Sequence, residues 1–296
     1  MTSLRGAVIR FLLGKFNVWN KPLADIRKTM EKIKAQGMPL GVESEIDELN
    51  GIPVYRLFPP GAPKKKAILY FHGGGFCLGI YHANREFTAR IARETGITVV
   101  LPDYRLAPED PFPAALEDAV AVYRGLLHEG YRADDIVVMG DSSGCGLALA
   151  ALLVLRQDGT KMPRALVFIT PVFDFAGNGK SLKTRAAKDP FKLADPLGIA
   201  KIYVGAHNPS SPVISPLYGD LAGLPPILVH AADYDVFLSD SLRLHDRASD
   251  AGVKVDLKVW PKMWHIFHMQ DKIVPEGKKA LEEMCSYVKN SIIDMA

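Results

Sequence analysis

A chain of 296 residues with 48% hydrophobic and 23% charged side chains has the profile of a globular protein with a sizeable core, which excludes disordered, fibrous and low-complexity classes. Its 36 basic and 33 acidic residues leave a net charge of only +3, and the one dense basic run, Lys64-Lys65-Lys66, follows Pro59-Pro60-Gly61 as a solvated turn, so nucleic acid is not an expected partner. Cys77, Cys145 and Cys285 show neither C-x-x-C nor Cys/His ligand spacing, so no disulfide framework, metal site or cofactor is expected and a cytoplasmic location is the default.

In chain order, residues 1 to about 40 read as amphipathic helix before any strand. Their apolar run Val8-Ile9-Arg10-Phe11-Leu12-Leu13 is too short and too interrupted by charge to predict a membrane span. From Ile52 to Trp260 short β-branched runs alternate with longer amphipathic stretches, the pattern of a parallel α/β sheet. Strands are expected at Ile52 to Leu57, Ala67 to Phe71, Ile97 to Leu101, Ile136 to Met139, Ala165 to Ile169, Pro226 to Ala231 and Val255 to Trp260. Helices are expected at Glu86 to Glu94, Ala114 to Glu129, Ser143 to Arg156, Leu238 to Ala251 and Glu276 to Asn290. Residues 174–212, rich in Lys, Asp, Pro and Gly, break the alternation. The resulting division is a cap segment at 1–40, core at 41–173, a cap insertion at 174–212 and core again at 213–296; packing of 1–40 on the sheet's flank is the competing reading.

Gly140-Asp141-Ser142-Ser143-Gly144 stands directly after a strand and before an apolar helix. The glycines suit a tight, strained turn that lifts the Ser142 hydroxyl from the sheet edge, at a helix N-terminus whose partial positive charge favours an oxyanion. His72-Gly73-Gly74-Gly75-Phe76 follows another strand. Its backbone N–H groups, at Gly73, Gly74 and Gly75, together with that of Ser143, are the expected oxyanion donors. A phosphate loop is the rival, but the P-loop lysine and the G-x-G-x-x-G spacing are missing. His72 and Asp141 are assigned supporting roles. His265, in Met263-Trp264-His265-Ile266-Phe267 after the last strand, is the expected base, with His268 as a decoy. Asp233 and Asp235 both follow the strand ending at Ala231; Asp235 is preferred as the acid, with Asp240 third. In this scheme His265 takes the Ser142 proton during attack, and activity is expected to fall below roughly pH 6 from an ordinary imidazole value near 6.5.

Together with Pro102-Asp103-Tyr104-Arg105-Leu106-Ala107-Pro108-Glu109 and Phe112-Pro113-Ala114-Ala115, these motifs resemble the hormone-sensitive-lipase-like esterases, bacterial esterase family IV of the α/β-hydrolases. The resemblance implies an α/β-hydrolase fold: a mostly parallel eight-stranded sheet flanked by helices, with a helical cap. It implies hydrolysis of small-molecule, short- to medium-chain acyl esters through an acyl-enzyme on Ser142, with His265 and Asp235 completing the triad, and a homodimer. The chain departs from the family at Ser143-Gly144-Cys145, where Ala-Gly-Gly is commoner, and at Asp235-Val236-Phe237-Leu238-Ser239-Asp240, one residue longer than D-x-L-x-D. Lactone or amide hydrolysis on the same triad is the alternative. A non-catalytic receptor is disfavoured because His265 is present, and an interfacial lipase because no extended apolar surface segment lies beyond the first forty residues.

Overall fold

A computed structural model describes residues 2–15, 18–33 and 37–293. Parts of the segment 1–40, namely residues 1, 16, 17 and 34–36, lie outside the described residues, as do 294–296. Helix α1 (Leu4–Leu13) begins where the Ser3 hydroxyl accepts the Gly6 N–H, and α2 (Leu23–Glu31) begins after Pro22, whose fixed φ suits a helix start and interrupts what precedes it.

The sheet follows in the order β1 (Glu43–Leu49), β2 (Ile52–Phe58), β3 (Ala67–Phe71), α3 (His82–Thr95), β4 (Thr98–Pro102), α4 (Ala114–His128), β5 (Ile136–Asp141), α5 (Ser143–Gln157) and β6 (Ala165–Ile169). Short helices α6 (Ser181–Thr184) and α7 (Gly198–Val204) precede β7 (Ile227–Ala232), α8 (Leu238–Asp250), β8 (Val255–Trp260) and α9 (Pro275–Ile293). In space the strands run β1-β2-β4-β3-β5-β6-β7-β8, with the pairs β1–β2 and β2–β4 antiparallel and all the others parallel.

The central strands are buried on both faces, so they read as continuous apolar runs. Alternation along β3 sends Leu69 and Phe71 to the face covered by α4, α5 and α8, and Ile68 and Tyr70 to the face covered by α3 and α9. Strand β1 was not expected from sequence. It is exposed at every position but Leu49 and carries four acidic residues, so no apolar run marks it. Its signal is the turn Asn50-Gly51, where both residues have positive φ (50° and 84°), as a tight hairpin requires.

The N-terminal segment is tied to the body at several points. Ser3 donates its hydroxyl to Glu276 at 2.7 Å, and the Arg27 guanidinium donates to the carbonyls of Cys77 and Ala107 and pairs with Glu109. Asn20 bridges to the backbone of Lys192 and Ala194, and Trp19 meets Phe191 edge to face, which joins this segment to the stretch 174–212. No helix among the described residues is long and apolar enough to cross a membrane.

Candidate active site

Strand β5 ends on Asp141, and the chain then turns through Ser142 at φ 52°, ψ −126°, a left-handed conformation that a side chain adopts only under strain. The turn is held by the Ser142 N–H donating to Ile169 O at 3.0 Å and the Val172 N–H donating to Ser142 O at 3.0 Å. Its tightness explains the flanking glycines. A Cβ on Gly144 would lie 2.1 Å from Phe71 O, and one on Gly140 2.9 Å from the Gly144 carbonyl carbon.

The elbow points Ser142 Oγ at His265 Nε2, 2.8 Å away. His265 follows β8; its neighbour Ile266 has φ 49° and donates its N–H to Thr170 Oγ1 at 3.1 Å, which fixes the loop over β6. On its other side His265 Nδ1 lies 2.8 Å from Asp235 Oδ2, and Asp235 Oδ1 accepts the Phe237 N–H at 2.9 Å. Hydroxyl, imidazole and carboxylate thus stand in series, an arrangement able to move a proton from the hydroxyl to the ring while the carboxylate sets the tautomer and steadies the imidazolium. Burial pulls the His265 pKa down, but attraction to and hydrogen bonding with Asp235 outweigh it, with Asp189 and Asp141 adding to the rise. Its pKa therefore lies above 6.5, which moves the expected acid limb upward from the sequence-based figure.

The other candidate carboxylates point elsewhere. Asp233 pairs with Arg185 at 3.0 Å, and buried Asp240 accepts the backbone N–H groups of Phe173 and Asp174, burial pushing its pKa up to about 7. His268 is fully buried with Nε2 3.3 Å from His230 Nδ1, and burial holds its pKa well below the ordinary value. His72 is also buried and pushed down to about 4 by burial. Its Nδ1 donates to Gly73 O at 2.8 Å, its ring stacks on Tyr104 at 4.3 Å, and the Tyr104 hydroxyl donates to His72 O at 2.7 Å. Cys145 is buried with its thiol pKa pushed well above the ordinary value by burial, so it packs as a small neutral side chain.

Two amides of the glycine loop have side-chain partners in the free protein. Gly73 donates its N–H to Asp141 Oδ1 at 3.1 Å. A Cβ there would meet Asp141 Oδ2 at 2.4 Å, which explains the glycine sterically. Asp141 also accepts the Tyr70 hydroxyl at 2.9 Å; burial pushes its pKa up to about 6, against the pull of these two donors. The Gly75 N–H donates to Ser143 Oγ at 2.8 Å.

Sequence reasoning missed Asp189. It lies in the irregular stretch 174–212, where no periodicity singles it out. It is buried and accepts the N–H groups of Phe191 and Val236, so it braces the loop that carries Asp235; burial, then the charge of Asp235, push its pKa up to about 6.

Ser142 and His265 open into a cavity of about 480 Å³ whose far walls come from the two irregular regions, with Trp19, Met30 and Ile33 on one side and Phe191, Leu193 and Ile199 on the other. Among the described residues no group of three or more His, Cys, Asp or Glu is placed to hold a metal ion.

Residues 68–269 match the family described as alpha/beta hydrolase fold. An acetyl-hydrolase of Streptomyces hygroscopicus is 38% identical over 233 residues, 78% of this chain and 78% of that protein, and an esterase of Acinetobacter venetianus is 35% identical over 235 residues, 79% and 78% of the two chains. Among solved structures, an esterase from the bacterial hormone-sensitive lipase family superposes with a TM-score of 0.93 at 37% identity, covering 99% of each chain. This chain belongs to the α/β-hydrolase family and, within it, to the hormone-sensitive-lipase-like esterases.

Proposed function

We propose that the protein is a serine carboxylesterase acting on short- to medium-chain acyl esters, with Ser142 as nucleophile, His265 as general base and acid, and Asp235 as the orienting carboxylate. The observation that carries this reading is the unbroken series from Ser142 Oγ through His265 to Asp235, with 2.8 Å at each link. Neutral His265 Nε2 accepts the Ser142 proton as Oγ attacks the ester carbonyl, and the tetrahedral oxyanion is held by the amides of Gly74, Gly75 and Ser143. Collapse breaks the bond to the alkoxy group, which takes the proton from His265 and leaves an acyl-Ser142. Water then attacks that acyl group, His265 accepting the water's proton and returning it to Ser142 Oγ as the acid departs.

The substrate range rests on the cavity's modest volume and apolar walls, on the naming of a relative as an acetyl-hydrolase, and on a related solved structure, EstE5, 35% identical, which was soaked with p-nitrophenyl butyrate. Residues 1–40 and 174–212 act as the cap over the core formed by 41–173 and 213–296. A cytoplasmic location suits three free, buried cysteines, and the unpaired outer edge of β8 is the surface for a homodimer. Hydrolysis of p-nitrophenyl esters from acetate through decanoate tests the reading. It requires kcat/KM to peak between acetate and hexanoate and fall beyond; a maximum at decanoate contradicts the assigned chain length, and no turnover on any ester favours lactone or amide substrates.

Ser143 supplies a sharper test of the oxyanion hole. Its Oγ occupies the Gly75 amide in the free protein, so the substrate oxyanion competes with it for that donor. Exchange of one ordinary hydrogen bond is worth roughly 0.5–1.5 kcal/mol, so Ser143→Ala is expected to raise kcat/KM about two- to tenfold. A tenfold fall instead means that the hydroxyl itself donates to the oxyanion.

A further inference from the structure

The N-terminal segment has a face that the reaction does not use. On α1, Ile9 and Leu13 pack against the buried cluster around Trp264 and Phe267. Leu4, Val8, Phe11 and Leu12 share the opposite side, Val8 lying four residues after Leu4, three before Phe11 and four before Leu12, and are 82%, 49%, 64% and 51% exposed. The outward side of a helix on a globular protein is ordinarily polar, whereas α1 is apolar on its outward side as well as its inward one. Cations frame the patch: Arg5 and Lys15 on or beside α1, and Lys188 and Lys192 from the neighbouring stretch, are all exposed, and Arg10, Phe11, Lys15, Lys188 and Lys192 line one surface depression. Residues 1–40 hold eight basic and two acidic residues, a net +6, in a chain whose total is +3.

Charge decides among the occupants that could cover such a face. A symmetric pairing with a second copy would set one +6 segment against another. An uncharged protein partner would cover the apolar side chains and leave the cations unmatched. A lipid surface carrying anionic headgroups matches both features, since apolar side chains enter the headgroup boundary while the lysines and arginines engage the phosphates.

We propose that α1 and its basic flank dock the protein peripherally on an anionic lipid surface. A consequence, resting on the esterase reading, is a substrate class. The docking face and part of the cavity wall belong to the same forty residues, Ile33 being both a wall residue and 48% exposed, so esters dissolved in the lipid are concentrated beside the site.

Cosedimentation of the full chain with vesicles tests docking without reference to turnover, so its failure leaves the esterase reading untouched and the reverse also holds. Binding to equimolar phosphatidylglycerol and phosphatidylcholine is expected to exceed binding to phosphatidylcholine alone by at least about tenfold. It should weaken about tenfold or more when salt is raised to ~0.5 M, where charges are screened within a few ångströms. The double variant Val8→Glu, Leu12→Glu should lose binding about tenfold or more while hydrolysing p-nitrophenyl acetate in vesicle-free buffer at the wild-type rate. Lys15→Gln, Lys188→Gln, Lys192→Gln, which leaves the apolar side chains in place, should lose the salt-sensitive part of the affinity. Absence of binding, or equal binding to both vesicles, overturns the proposal. So does a wild-type dimer that the Val8→Glu, Leu12→Glu variant converts to monomer, because the face then belongs to a second copy.

Discussion

Ser142→Ala is expected to lower kcat for p-nitrophenyl butyrate by roughly 10⁶-fold, the scale seen when a serine nucleophile is removed from such a triad. The melting temperature should change by no more than about 3 °C, since only one hydrogen bond to His265 is lost and the turn is held by backbone bonds from Val172 and to Ile169. Steady-state kinetics and a thermal melt on the same preparation check both halves. A loss of only a few-fold would place the nucleophile elsewhere, and a collapsed melt would mean that the strained elbow depends on the serine side chain.

The second large effect separates two carboxylates that the sequence places side by side. Asp235→Asn is expected to reduce kcat roughly 10⁴-fold, because an amide can present the wrong hydrogen-bonding group to Nδ1 and supplies no charge to the imidazolium. Asp233→Asn breaks only a half-exposed pair with Arg185 and should leave kcat within about threefold. The pH profile adds an independent signature. In the proposed mechanism the neutral ring is the active form; its pKa is raised in the folded protein, so wild-type kcat/KM should fall as pH drops through a value above 6.5. In Asp235→Asn burial remains while the main attraction is gone, so the acid limb should move to lower pH than in wild type. Equal losses from both variants, or an unmoved limb in Asp235→Asn, would contradict the assignment.

The sequence carried the sheet wherever burial wrote a continuous apolar run. Strands β3 and β6 fall at the expected bounds, and β4, β5 and β7 within two residues, because all their residues are buried; β8 also falls at its expected bounds, but only Trp260 in it is buried, and its signal is the alternation of Val255, Leu257 and Val259 with Asp256 and Lys258. Strand β1 left no such record, since Glu43–Leu49 is nearly all exposed and only the Asn50-Gly51 hairpin betrays it. Helix α3 starts at His82, four residues before the expected Glu86. Its first turn is held by Asn84 accepting the Tyr81 N–H, a local bond that apolar spacing does not reveal.

At the site, Ser142 was legible because two glycines of unusual tightness flank it, and His265 because it follows the last strand. The choice between Asp233 and Asp235 turns on which way each side chain leaves a tight turn, and the partner of the Gly73 amide on the local φ and ψ of a three-glycine run. Neither is encoded in residue type or spacing. Asp189 was invisible for a related reason: it acts through backbone N–H groups distant in sequence, at Val236, from within a stretch that has no period.

The proposed acyl-enzyme at Ser142 is tested most directly by intact-protein and peptide mass spectrometry after treatment with phenylmethylsulfonyl fluoride. One sulfonyl group on the peptide containing Ser142, with parallel loss of esterase activity and no label in Ser142→Ala, is the predicted result. Full esterase activity in a protein whose Ser142 is quantitatively sulfonylated, or a label that maps to another residue as activity is lost, would contradict it.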